Sequence, residues 1–451
     1  MDLQSGVRNL TEGKIFDQLT GLAAPIMATG FIQMAYTLVD MVWLGRLGSR
    51  EMAAVGAMGI ILWLFSSIAL LTKVGAEISI AQSIGAGQLN KAKVYASHTV
   101  TISLILGVFF SAGLFLFANP IIDLFKLESE VADIAHEYLL IVCGALPTVF
   151  LVFTFSGIYN GAGRTSTPFY FLTAGLVCNM LLDPLMIFGV NGLGAMGANG
   201  AAIATTFSEI LVMALFIRKM KQKNGILDRF PYFVKLQKSY TLVIFKLGVP
   251  VAAMNCLFAG INFYMARIAS IYGGYLGVMS QTTGSQIEGI TWNTSQGFST
   301  ALGTFVAQNY AAGKIDRTRK AYKYTLILLF SLGIVVTLSF MFLGQEIFGL
   351  FTPETDAREA GGNYLNIVAY CQLFMMLEIT TLGIWNGYGK TLPPAIVSIT
   401  FNLARVPMAL LLATVFGING VWLAIMISAI AKGIVSPVWF HQKQRDYQYI
   451  K

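Results

Sequence analysis

Charge is what this sequence has least of. Only 12% of its 451 residues are Asp, Glu, Lys or Arg, where soluble domains carry about 25%. It has three His and four Cys. The cysteines, Cys143, Cys178, Cys256 and Cys371, stand singly inside apolar runs. Without C-x-x-C spacing they indicate neither a metal site nor a disulfide framework. Absent too are H-E-x-x-H, G-x-S-x-G and a Walker A loop, so neither an enzyme nor a nucleotide-driven pump is indicated, and no cofactor is expected. Polar interdomain linkers are missing. Residues 1–15 are polar rather than the start of a short cleavable leader, so the first apolar run is expected to stay and act as its own insertion signal.

What is present is hydrophobic: 56% of residues are apolar and the mean hydropathy is +0.68. Apolar runs follow one another near 16–42, 52–83, 94–118, 134–156, 168–189 and 198–218, then 242–268, 276–303, 321–345, 361–384, 393–416 and 419–440. Each is long enough to cross a hydrocarbon core of about 30 Å. The expected fold is therefore all-α and membrane-integral, with twelve transmembrane helices: residues 1–218, a linker at 219–240, and residues 241–451.

The net charge of +8 would suggest nucleic acid in a soluble protein. Here its distribution reads as topology instead. Arg218, Lys219, Lys221, Lys223, Arg229, Lys235 and Lys238 crowd the central connection, and Lys314, Arg317, Arg319, Lys320 and Lys323 follow the eighth span. Odd-numbered connections are neutral or acidic, as with Asp123, Glu128, Glu130 and Asp133; Arg46 and Arg50 are a contrary pair. The positive-inside bias places both termini in the cytoplasm of a cell-membrane protein.

The two halves repeat. GIYNGAGRTSTP (157–168) returns as GIWNGYGKTLPP (383–394), seven of twelve identical at an offset of 226. Ala81-Gln82 with Ala86-Gly87 return as Ala307-Gln308 with Ala312-Gly313, and Tyr138 as Tyr364. The matches fall on Gly, Asn, Gln and Pro, where hydrophobic bias does not operate. Six spans per copy give both copies one orientation, so two six-helix bundles related by a pseudo-twofold along the membrane normal are expected. Such a pair suits a secondary transporter driven by an ion gradient.

A charge inside a span costs roughly 2.5–3.5 kcal/mol on insertion scales, so each one needs a reason. Asp40 lies late in the first span and Asp183 in the fifth, with Asn179 one turn before it and Pro184 just after. Asn179 and Asp183 share a helix face, and Pro184 frees a carbonyl beside them. With the hydroxyls of Tyr138 and Thr205 they make an oxygen-rich set suited to a proton or Na⁺, the latter at Asp40, Asn179 and Asp183. A pair of interhelical structural acids is the plain alternative. Against it, Asn179-x3-Asp183-Pro184 returns as Asn402-x3-Val406-Pro407, and Met265 stands at the place of Asp40. The scaffold residues are duplicated and the acids are not.

Pro25 with the VD and GRLG segments, AQ-x2-GAG (81–87), GAGRTSTP (161–168), NMLLDPL-x-IFG (179–189) and GAAIAT (200–205) together resemble the MATE multidrug and toxin extrusion transporters, most closely the bacterial DinF-type branch. The resemblance runs over nearly the whole chain. It implies a V-shaped fold of two lobes and antiport of drugs, mostly organic cations, against H⁺ or Na⁺. It also implies a bacterial-type inner membrane, with the first lobe's ion site falling on Asp40, Tyr138, Asn179, Asp183 and Thr205. The acidic second-lobe site of the NorM-like branch finds no match. Substrate candidates are Met34, in the seven-residue stripe Met27, Met34, Met41, together with Asp40, Glu288 and Glu378. Lys73 and Glu77, spaced i,i+4, read equally as a mutual ion pair or a substrate contact, and Arg267, Arg405 and Lys432 as structural cations. A monomer is expected. The rival reading is a flippase for lipids or lipid-linked oligosaccharides, which would want several cations facing the cleft where the first half offers acids.

Overall fold

The computed structural model describes residues 6–189, 194–222, 227 and 230–444. The chain ends and Lys223, Asp228 and Arg229 of the central connection lie outside the described residues. The elements are α1 (Ile15–Leu47), α2 (Ser49–Gly85), α3 (Leu89–Leu116), α4 (Ala118–Asp123), α5 (Ser129–Gly161), α6 (Ser166–Phe188) and α7 (Gly197–Met220). They continue as α8 (Lys238–Ala311), α9 (Ile315–Gly349), α10 (Thr355–Gly387), α11 (Leu392–Phe416) and α12 (Ile418–Lys443).

Among the described residues eleven helices are long and apolar enough to cross a bilayer. One of them, α8, has 74 residues and would run about 110 Å if straight, far more than one crossing. Gly274 breaks it, with φ 57° and ψ −145°, a conformation open to glycine and costly to other residues. The break falls in the expected gap at 268–276, so α8 supplies two spans and the total is twelve. The short α4 has no counterpart among the expected spans.

Helix ends explain the sequence repeat. Gly87, Gly163, Gly313 and Gly389 all have φ between 71° and 74°. The following residue bonds back five positions in each case: Gln88 N–H to Ser83 O, Arg164 to Tyr159, Lys314 to Asn309 and Lys390 to Trp385, at 2.8–2.9 Å. This is the left-handed glycine cap that satisfies orphan carbonyls at a helix end. The GAG segments at 85–87 and 161–163 and their counterparts AAG (311–313) and GYG (387–389) are thus two pairs of matching caps.

The compact units do not follow chain order. The first comprises Met1–Leu10 and Ala28–Ala252, the second Thr11–Met27 and Ala253–Lys451. In the first, α5 is the central helix, packed on α2, α3 and α7. A Cβ on Gly157 would collide with the Lys73 carbonyl, and one on Gly161 would stand 2.5 Å from the Glu77 carbonyl. In the second, α10 is central, on α9 and α12. There a Cβ on Gly383 would stand 2.5 Å from the Ser299 carbonyl, and one on Gly387 2.8 Å from the Gly303 carbonyl. All four positions and their partners repeat at the offset of 226, so the duplication extends to backbone contacts of the small-xxx-small kind. Each unit also holds the leading turns of the other half. Gly248 of α8 packs on the Leu71 carbonyl of α2, and Met27 of α1 packs on Gly297.

The segments entering those helices are anchored too. His98 of α3 accepts the Gln237 N–H at Nε2, 3.0 Å, and Thr101 binds Tyr232 O and Val234 N–H. In the second unit Lys314 and Arg317 donate to the carbonyls of Thr11, Glu12 and Gly13. All four cysteines are free.

Candidate functional site

The first unit gathers the expected residues from four helices. Asn179 and Asp183, one turn apart on α6, are both 0% exposed. Asn179 Nδ2 donates to Asp183 Oδ1 at 3.0 Å and to Thr205 Oγ1 of α7 at 3.4 Å. Pro184, within α6, has no N–H for the Met180 carbonyl, which leaves another acceptor close by. Asp40, near the end of α1, is a neighbour of Asp183. Tyr138 of α5 is buried beside both carboxyls.

Three oxygens in this set, Asp40 Oδ1, Asp183 Oδ2 and Asn179 Oδ1, are buried without a hydrogen-bond partner. Among the described residues neither acid takes part in an ion pair. Buried acceptors without donors are costly to leave unmet. Three of them converging in one place is what a small cation or a proton would satisfy.

The second unit is built differently at the matching place. Asn402, counterpart of Asn179, accepts from Arg405 Nη2 at 3.2 Å, and Arg405 Nε donates to Ser428 Oγ at 2.9 Å. Glu288 accepts from the Tyr364 hydroxyl and from Gln372 Nε2, the latter at 2.8 Å. Glu378 pairs with Lys432 at 3.1 Å and accepts from Ser398 Oγ at 2.6 Å. Both substrate candidates of this unit therefore have protein partners. A buried pair of this kind is strongly destabilised when one member is removed, by about 3–5 kcal/mol. The duplicated asparagine holds an acid in one unit and a guanidinium in the other.

Other expected residues fall elsewhere. Met34 is half-buried in the first unit, but Met27 belongs to the second and packs on Gly297; the Met41 side chain lies outside the described residues. Lys73 lies beside Glu77 and 5.6 Å from the Phe153 ring centroid. Arg405 and Lys432 are buried, whereas Arg267 is exposed.

One acid was not singled out in the sequence. Glu209 lies on α7 one turn after Thr205, and Tyr36 lies on α1 one turn before Asp40. Tyr36 neighbours Glu209, Thr205, Asp40 and Asp183. The signal was available, since Glu209 is an acid inside an apolar span.

Comparison with known proteins agrees with this architecture. The MatE family model matches twice, over residues 25–185 and 250–411, once in each copy of the internal repeat. The chain is 28% identical over 443 residues to a probable multidrug resistance protein NorM of Thermotoga maritima, covering 95% of this chain and 92% of that one. It is 24% identical over 405 residues to an FAD transporter of Shewanella oneidensis, covering 89% of each. A crystal structure of MATE in complex with MaD3S superposes with a TM-score of 0.91 at 22% identity, over 98% of both chains. With twelve spans, a duplicated six-helix plan and a family match to each copy, this multi-pass membrane chain belongs to the MatE family of transporters.

Proposed function

We propose that this chain is a secondary antiporter of the DinF-type branch that exports organic cations and takes H⁺ or Na⁺ in return at Asp40 and Asp183. The observation that carries the reading is the convergence of partnerless oxygens from Asp40, Asp183 and Asn179 inside one unit. Such a set binds one cation and is reluctant to stay empty. A coupling ion neutralises the acids, and a cationic solute is then no longer held. Mutual exclusion of this kind is what antiport requires. The relative named as a multidrug resistance protein supports the substrate class. A flippase for pyrophosphate-linked lipids would need cations free for the headgroup, and the buried Arg405 and Lys432 are engaged by Asn402 and Glu378.

The relative named as an FAD transporter favours a second reading, export of a phosphate-bearing dinucleotide. Proteoliposomes carrying the purified protein separate the two. Imposed H⁺ or Na⁺ gradients are expected to drive ethidium transport and to leave FAD unmoved. FAD transport without ethidium transport would put the second reading ahead.

The charge distribution supports an orientation with the α2–α3 connection in the cytoplasm and the α4–α5 connection outside. A cysteine at exposed Lys91 is expected to react with an impermeant maleimide only after permeabilisation, and one at exposed Glu128 in intact cells. The reverse pattern would invert the topology.

A further inference from the structure

Beyond the coupling site, the first unit holds a second group of buried atoms with nothing to bind. Glu209 Oε2, the Tyr36 hydroxyl and Thr206 Oγ1 are all buried without hydrogen-bond partners. Thr206 and Glu209 are three apart on α7, so they share a face, and Tyr36 of α1 neighbours Glu209. Among the described residues no ion pair involves Glu209. A carboxylate is an acceptor only, while the two hydroxyls can both donate and accept. The Glu209 carboxylate in particular is best met by a positively charged donor. Tyr36 also offers an aromatic face, to which cations are attracted.

We propose that Glu209, Tyr36 and Thr206 form a second cation station in this unit, which takes the charged nitrogen of the exported compound while Asp40 and Asp183 take the coupling ion. The identity of the ligand rests on the antiport reading; the station itself does not. The division of labour follows from the two surroundings. Asp183 is fully enclosed and already accepts from Asn179, which also reaches Thr205. Glu209 and Tyr36, like Asp40, are only half-buried as residues, so a larger molecule approaches from their side, with one nitrogen toward the enclosed oxygens. Tyr36 neighbours both groups, so charge arriving at one station is felt at the other without the two ligands sharing an atom.

Equilibrium binding tests this without any gradient, so failure of transport and failure of the station are separate results. Purified full-length protein is titrated with ethidium, followed by its fluorescence, and in parallel with the uncharged dye Nile red. Glu209→Gln is expected to weaken ethidium binding at least tenfold and to leave Nile red binding unchanged. Glu209→Asp, which keeps the charge, should stay within threefold of the parent, and Tyr36→Phe should weaken ethidium by a smaller factor than Glu209→Gln. Unaltered ethidium affinity in Glu209→Gln overturns the proposal. So does an equal loss of both dyes, which would mark a packing defect, and so does the absence of saturable ethidium binding by the parent protein.

Discussion

Asp183→Asn is expected to reduce gradient-driven ethidium efflux to the level of empty proteoliposomes, at unchanged expression and monodispersity. The side chain is completely enclosed, and asparagine nearly matches its shape. Its amide oxygen can still accept from Asn179, so the fold loses little. What it loses is charge, and with it the ability to bind and release a cation. Asp40→Asn should behave alike, because the two carboxyls are neighbours and, in the proposed antiport, share one ion. The duplicated scaffold provides an internal control: Val406 occupies the position of Asp183 in the second copy, and Val406→Ala should leave efflux within a few-fold of the parent. Wild-type-like, gradient-dependent efflux by Asp183→Asn would rule out this carboxyl as the coupling group. Collapse of the variant during purification would instead mark it as structural.

The largest effect on stability should come from the glycines of the central helices. Gly157→Leu brings side-chain atoms onto the Lys73 carbonyl, and Gly383→Leu does the same at the Ser299 carbonyl. A backbone oxygen fixed in a neighbouring helix cannot move aside as a flexible side chain can. Overpacking of this kind costs about 1–3 kcal/mol or more, and for a unit of this size each kcal/mol lowers the melting point by about 2–4 °C. Each substitution should therefore lower the apparent melting temperature in detergent by roughly 5–10 °C, with a matching fall in monodisperse yield. Ala at Gly113, where a Cβ would meet nothing within 4 Å, should shift it little. Equal melting curves for Gly157→Leu and Gly113→Ala would remove the close helix approach as a stabilising feature.

Much of the fold was legible because a membrane imposes harsh rules. Every span needs its apolar length, and every helix end needs its backbone groups met, so the glycines at 87, 163, 313 and 389 mark the true ends. The break at Gly274 also fell where the apolar pattern paused. The short α4 was missed because six residues reading ANPIID carry no periodic signal. At the site, Asp40, Asn179 and Asp183 were legible for two reasons. An acid in a span is expensive, and a four-residue spacing fixes a shared face. Glu209 met the first condition and was passed over because no repeated motif framed it. The partners of Glu288 and Glu378 were hidden, since Tyr364, Gln372 and Lys432 lie far along the chain and only tertiary packing joins them.

The crossing of α1 from one unit to the other, mirrored by α8, bears on how the protein is made. The first unit takes in residues up to Ala252, so the ribosome must pass the midpoint of the message before that bundle has all its parts. The second waits for the end of translation, yet one of its pieces, Thr11–Met27, is among the first to be inserted. Nascent halves therefore cannot mature in sequence as separate modules, and the early segment must be kept by the insertion machinery until its late partner emerges. Split versions of the gene cut in the central connection would produce two fragments, each lacking a piece held by the other, that become competent only when translated together.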